Sequence, residues 1–213
     1  MPLFHAGICA FLLLSSSFIL SPNTTTAGLF SRAEKQAKVQ NFQLLDHLGN
    51  SHELYQQTNH RAIVLMFTTT GCPIVQKSVP KIKALRDRFA SQNILFWMIN
   101  STTTDDMASI REEARDFQID LPILLDREQS VARSLNATRT AEVICIQPKS
   151  WKIFYRGAID DQLGYGTEKP HPLNTYLENA LNNFLAGKKI SPAKTDFKGC
   201  RIQFETSREN GKN

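Results

Sequence analysis

Cys72 stands where a thiol is most readily made into a nucleophile. The tripeptide Gly71-Cys72-Pro73 follows the unbroken apolar run Ile63-Val64-Leu65-Met66-Phe67, and Val75, Val79, Ile82, Leu85 and Phe89 then recur at helical spacing. Pro73 suits a first helical turn, where its missing N–H would have no intrahelical partner, and Gly71 allows a tight approach. A sulfur at that point faces exposed N–H groups and the positive end of the helix dipole, so its pKa should fall and the thiolate should be favoured. A thiolate attacks peroxide oxygen to give a sulfenic acid, or disulfide sulfur to give a mixed disulfide. A second thiol resolves either product.

Three other cysteines are available. Cys9 lies in an N-terminal apolar run and carries no assigned role. Cys145, within Glu142-Val143-Ile144-Cys145-Ile146, reads as a small buried hydrophobe on a core strand. Cys200 lies in Asp196-Phe197-Lys198-Gly199-Cys200-Arg201, a polar stretch beyond the last helix, where a thiol is easily brought to another. Cys72 with Cys200 is therefore the favoured pair. The alternative is a structural crosslink, which would restrain the unfolded chain by about 4–5 kcal/mol for so long a loop.

The elements that must position Cys72 follow from pattern. Strands are expected at 62–68 and 94–99, with the Cys72 helix running to about Ala90 and kinked by Pro80. The apolar run of the first strand implies burial on both faces of a mostly parallel sheet. A short hairpin over Phe42, Leu44, Asp46–Asn50 and His52–Leu54 precedes it. The run Asn100–Asp106 should cap a helix to about Phe117, and Asp126 a short helix to Leu135. Strands 142–147 and 152–156, joined by Pro148-Lys149-Ser150, read as an antiparallel pair. A helix from about Pro172 to Ala186 should cover the sheet through Leu173, Tyr176, Leu177, Leu181 and Phe184. His47, His52 and His60 are expected in solvent-exposed loops, and residues 205–213 in an unstructured end.

Composition bounds the class. The 213 residues suffice for one well-buried domain with additions, and 41% hydrophobic content is ordinary for a soluble globular chain. The net charge of +5 comes from scattered Lys and Arg, so nucleic acid is not an expected partner. Residues 1–27 read as a secretory signal peptide: Ile8–Leu20 is apolar or small, no Lys, Arg, Asp or Glu precedes Arg32, and Thr25-Thr26-Ala27 offers a cleavage point. An uncleaved anchor is the alternative. The organisation is then a lead-in at 28–40, one domain at 41–187 and a tail at 188–213 carrying Cys200. Export implies a periplasmic or secreted, oxidising setting with no stable membrane insertion after cleavage.

The strand, turn, cysteine and helix, with Pro80 eight residues after Cys72, resemble thioredoxin-fold proteins. Phe67-Thr68-Thr69-Thr70-Gly71-Cys72 further resembles the redoxin branch, the alkyl hydroperoxide reductase and thiol-specific antioxidant family, through Thr69-x-x-Cys72. Arg156-Gly157-Ala158-Ile159-Asp160-Asp161 and Gly199-Cys200-Arg201-Ile202 match segments of bacterial redoxin-like proteins, so the resemblance spans 41 to about 203. It implies an α/β, three-layer thioredoxin-like fold with a central mixed sheet, an N-terminal hairpin and an inserted strand and helix. It further implies a thiol-dependent oxidoreductase without cofactor or metal, acting on a small hydroperoxide or a disulfide-bearing protein and served by a thiol electron donor. Thr69 would touch the sulfur or a bound oxygen, Arg139 would hold the thiolate and polarise peroxide, and Asp160 and Asp161 would orient a loop or the tail.

Departures from the family pattern narrow the choice. Leu65 replaces the proline opening the peroxiredoxin motif, and Val75 occupies the second position of a Cys-x-x-Cys. Ala141 stands where thioredoxins carry a cis-proline, and a trans peptide is expected there. Exported thioredoxin-fold proteins also include copper chaperones. Gln76 removes the local cysteine pair those use, which leaves Cys72, Cys200 and His171 as a conceivable Cu(I) set. A redox-inactive scaffold with an ordinary Cys72 pKa is the third reading.

Overall fold

The computed structural model describes residues 38–206. The segment expected to be a signal peptide, most of the lead-in and residues 207–213 lie outside that range. Two short strands, β1 (Gln43–Leu45) and β2 (Ser51–Glu53), pair antiparallel. The central sheet contains β3 (Ala62–Thr68), β4 (Ile94–Asn100), β5 (Ile123–Leu125), β6 (Val143–Gln147) and β7 (Lys152–Gly157) in the order β5-β4-β3-β6-β7. β3, β4 and β5 run parallel, while β6 runs antiparallel to both β3 and β7. The helices are α1 (Pro73–Arg88), α2 (Met107–Asp116), α3 (Ser130–Ser134) and α4 (Tyr176–Leu185). This is the mixed α/β arrangement expected from the sequence.

Strand β3 explains why the sheet closes around it. All seven of its residues are buried. Ala62, Val64 and Met66 join α1 and α4 in one core cluster, whereas Ile63, Leu65 and Phe67 join α3 and the strands' other face in a second. Alternation along one strand thus feeds two apolar layers, which requires helices on both faces. The same topology fixes the site. β3 ends where α1 begins, and the antiparallel β6 begins beside that end, so residues 139–142 lie against the turn carrying Cys72. Phe67 N–H donates to the Glu142 carbonyl and Ala141 N–H to that of Phe67, at 3.0 and 2.7 Å.

Helix α1 carries Pro80 inside it and runs to Arg88. Several expectations are corrected. α4 starts at Tyr176, and Leu173 is 80% exposed because its N–H and that of Asn174 are held by Asp161 in the preceding loop. Asp126 does cap α3, but from a distance: its buried carboxylate reaches forward to accept from the Val131 and Ala132 N–H groups of the first turn, while Gln129 stands at the N-cap position without a side-chain cap bond. His47 is buried and accepts from Ile123 N–H, and burial lowers its pKa. His52 is partly buried against the Asp46 carboxylate at 2.8 Å, and His60 is partly buried. Val39, in the lead-in, is buried with its N–H on the Trp151 carbonyl.

The segment after α4 is not a loose end. It runs back along β7, with Arg156 N–H donating to the Ala193 carbonyl and Thr195 N–H to the Arg156 carbonyl. The Thr195 hydroxyl receives the Ala158 N–H and pairs with the Tyr155 hydroxyl. Further on, Ile202 is buried in the second cluster and Gln129 grips both Gln203 and Glu205. Position 205, expected to be free, is therefore anchored.

Gly157 permits this return. Its φ is +145°, and a Cβ there would lie 2.1 Å from the Thr195 hydroxyl oxygen. Gly157→Ala is expected to cost about 2–4 kcal/mol, read by denaturant unfolding, and to open residues 188–206 to limited proteolysis before the sheet.

Candidate active site

Cys72 occupies the N-cap position of α1, with extended backbone before Pro73, as the Gly-Cys-Pro order implied. Two carboxylates build the turn that presents it. Asp105, buried beyond β4, accepts from the Thr69 hydroxyl, the Thr70 hydroxyl and N–H, and the Asn100 amide, all at 2.8–2.9 Å. Glu113, from α2, accepts from Gly71 N–H at 2.6 Å and from the Gln76 amide at 3.3 Å. Gly71 itself sits at φ +69°. Thr69 is consequently an organiser of the turn: its hydroxyl donates to Asp105 and accepts from Thr102, and no hydrogen bond joins it to Cys72.

The hydroxyl that does reach the sulfur belongs to Thr140, at 3.3 Å from Cys72 Sγ. Thr140 precedes Ala141, whose peptide is trans, the cis bond among the described residues being Ser191-Pro192. Ala141 adopts φ +58°, a left-handed conformation costing an alanine about 1–2 kcal/mol. That turn aims Thr140 at Cys72 while delivering the Ala141 N–H to Phe67. Sequence reasoning passed over Thr140. The signal was its place directly before the position that faces the cysteine in thioredoxins.

Cys200 arrives at the same hydroxyl from the other end of the chain. Its N–H donates to Thr140 Oγ1 at 3.0 Å, its carbonyl accepts from Thr140 N–H at 2.9 Å, and Ile202 N–H donates to the Thr138 carbonyl at 2.9 Å. The Thr140 oxygen thus accepts from the tail and keeps its own proton for the Cys72 sulfur. Both cysteines are free, and they belong to one apolar cluster, Cys72 1% exposed and Cys200 half-buried.

The electrostatics differentiate the two thiols. Burial pushes the Cys72 pKa up, but the neighbouring Cys200 thiol, the Thr140 hydroxyl, the Val75 N–H and the Cys200 N–H outweigh it, so the net shift is downward. The cost of burying a thiolate is met by donors. Cys200 moves the other way, to about 11, through burial and then the adjacent Cys72 charge. The asymmetry favours the thiolate at Cys72 and keeps the proton on Cys200. Cys145, wholly buried on β6, is pushed far up by burial alone and stays an inert thiol.

Arg139 lies behind Cys200. Its Nη1 donates to the Tyr165 hydroxyl at 2.9 Å and to the Gly199 carbonyl at 3.2 Å, and its charge lowers the Cys200 pKa against the larger upward effects. No hydrogen bond joins it to Cys72. Asp160 and Asp161 hold the neighbouring loop: Asp160 takes Lys81 of α1 with both oxygens at 2.8 Å, and Asp161 takes Lys169 and the Asn174 amide. The Lys81–Asp160 pair is largely shielded and so outranks the exposed Lys77–Glu168 pair as a tether. Among the described residues no group of three His, Cys, Asp or Glu side chains converges to hold a metal, so His171 does not complete a set with Cys72 and Cys200.

Gly199 makes the docking sterically possible, since a Cβ there would fall 1.8 Å from the Thr140 carbonyl oxygen. Gly199→Ala should lift Cys200 away and withdraw its donors from Cys72. The pH midpoint of Cys72 alkylation by iodoacetamide, followed by mass spectrometry, is expected to rise by about one unit, the worth of one charge-assisted hydrogen bond. An unchanged midpoint would separate the tail from the thiolate.

Comparison with known proteins bears on the fold. The chain resembles an uncharacterized conserved protein from Geobacillus kaustophilus at TM-score 0.72, with 23% identity, covering 81% of this chain and 93% of that one. It also resembles a peroxidoxin from Mycobacterium tuberculosis at TM-score 0.51, 17% identity and 71% and 93% coverage. The thioredoxin domain of a thiol-disulfide oxidoreductase from Bacteroides vulgatus gives 0.53, 15% and 70% and 96%. No curated protein sequence is detectably similar. These likenesses establish the thioredoxin-like fold. The AhpC/TSA family profile matches residues 36–161, which contain Cys72 and more than half of the chain, and the protein belongs to the AhpC/TSA family.

Proposed function

We propose that this protein is an exported, two-thiol oxidoreductase in which Cys72 is the nucleophile, Cys200 the resolving thiol and a small hydroperoxide the oxidant. The observation that carries the reading is the differentiated pair, a thiolate-favouring Cys72 and a proton-holding Cys200 sharing the Thr140 hydroxyl. A small oxidant is favoured over a protein disulfide because Cys72 is only 1% exposed beneath the tail. Export rests on the apolar, uncharged N-terminus.

The chemistry balances with these groups. Cys72 thiolate attacks the terminal oxygen of ROOH; the S–O bond forms, the O–O bond breaks, and the departing alkoxide takes a proton from the Cys200 thiol. Cys200 thiolate then attacks the Cys72 sulfenic sulfur, forming the disulfide and releasing hydroxide, which takes a proton from water or buffer. Two electrons from an external thiol donor restore both thiols. The donor's thiolate attacks the more accessible sulfur, Cys200, and Cys72 departs as the better leaving group because its pKa is lower.

Disulfide exchange is the second reading. It is favoured by Thr69 and Arg139 being engaged with Asp105 and the tail, without a hydrogen bond from either to Cys72.

With dithiothreitol as donor, the wild type is expected to consume organic hydroperoxide catalytically. Cys72→Ser should show no turnover, and Cys200→Ser, assayed without dithiothreitol, should consume one equivalent and stop as a Cys72 sulfenic acid trapped by dimedone. Turnover surviving in Cys72→Ser would sink the proposal, and faster consumption of a model protein disulfide than of hydroperoxide would favour exchange.

A further inference from the structure

The sulfur of Cys200 has a charged surround that the two-thiol cycle leaves unexplained. The Tyr165 ring, 56% exposed, covers the tail at Gly199 through a hydrogen bond from its hydroxyl to the Gly199 carbonyl at 2.9 Å. Two cations flank that ring: the Arg139 guanidinium carbon lies 5.9 Å and the Lys198 ammonium 5.6 Å from its centroid. Neither has a carboxylate within salt-bridge distance among the described residues, unlike Lys77, Lys81 and Lys169 nearby. Arg139 spends only Nη1 on its tail and tyrosine contacts, which leaves Nη2 and Nε without a hydrogen-bond partner among the described residues.

Two like charges lie around one ring with neither directly paired to a carboxylate among the described residues, the pocket that Lys198 borders being lined also by Asp160, Asp161 and Asp196. The ring supplies each of them cation–π attraction but no negative charge. The two charges are carried by the residues directly before Gly199–Cys200 and directly before Thr140, the segments that dock against each other.

Resting on the two-thiol reading, we infer that Arg139 and Lys198, set around Tyr165, form an anion subsite selecting a small thiol donor that carries a carboxylate near its sulfur. The carboxylate binds the two cations, the guanidinium offering paired N–H donors and the ammonium a mobile charge. The donor thiolate attacks Cys200 Sγ; the bond to Cys72 breaks, and Cys72 leaves as thiolate. A second donor thiolate then attacks the donor sulfur of the mixed disulfide, releasing Cys200, which takes up a proton, and yielding the oxidised donor. Only two cations flank the ring, so a donor of a few residues' size matches the subsite better than the broad acidic face of a protein.

The test is the rate at which oxidised protein is reduced by mercaptopropionate, mercaptoethanol and cysteamine, compared between the wild type and Lys198→Glu. Comparing each thiol with itself across the two proteins cancels intrinsic reactivity. Lys198 makes no hydrogen bond within the described protein and touches the Tyr165 ring only as a cation, so its replacement removes none of the hydrogen bonds that dock Gly199 and Cys200. The ratio of mercaptopropionate to mercaptoethanol rates is expected to be about ten-fold higher in the wild type than in Lys198→Glu, and to fall with added salt. Cysteamine should show the opposite preference. A Cys72–Cys200 disulfide reduced at rates indifferent to donor charge would overturn the anion subsite while leaving the two-thiol cycle intact. Failure of that disulfide to form on oxidation would overturn both. An acidic thioredoxin-like protein outrunning every small thiol, with the same dependence on Lys198, would overturn the assignment to a small donor.

Discussion

The active site depends on a contact that only a residue without a side chain could make. Gly199 lies so close to the Thr140 carbonyl that any Cβ would overlap it, and that approach lets Cys200 exchange two hydrogen bonds with Thr140. The docking is anchored on both sides, by Thr195 against Gly157 before it and by Ile202, Gln203 and Glu205 after it. A cysteine more than a hundred residues from Cys72 in sequence is thereby held as part of its immediate surroundings. The loop entropy of that encounter is overcome by the whole strap rather than by the thiols themselves.

From this follows the division of labour between the sulfurs. A buried thiol ordinarily resists ionisation, and Cys145 shows what burial alone does on the neighbouring strand. Cys72 is as buried by exposure, yet the donors gathered by the turn, by Thr140 and by the tail reverse the direction. The proton goes to Cys200, whose pKa the neighbouring charge helps to raise. Asp105 and Glu113 act at a distance from the sulfur by fixing the Thr69-Thr70-Gly71 backbone, so the carboxylates shape the site without touching the reacting atoms.

Much of this was legible in the chain, and the limits have physical causes. The run Ile63–Phe67, the Gly-Cys-Pro turn and the heptad-like spacing of α1 are local patterns, and the sheet assembled on them as periodicity implied. That Cys72 and Cys200 would lie together was readable because so few thiols were available. Thr140 was not, because its role depends on the register of β6 against β3 and on a left-handed Ala141, neither of which leaves a local mark. Asp105 looked like one capping residue among several, although Asp106 is the cap of α2 and Asp105 turns inward to the threonines. Leu173 and the histidines misled for the opposite reason: apolar or polar character suggested burial or exposure, and hydrogen bonds to the Asp161 and Asp46 carboxylates and from the Ile123 N–H decided otherwise.

The central claim, that Cys72 and Cys200 form one working redox pair, is tested most directly by a disulfide map. The protein is quenched in acid, alkylated and digested before and after one equivalent of hydrogen peroxide. The account predicts both thiols free in the reduced protein and a Cys72–Cys200 link appearing with oxidant and disappearing with a thiol donor, Cys145 remaining alkylatable only after unfolding. Cys72 staying free while Cys200 pairs with Cys145 or with nothing would contradict it.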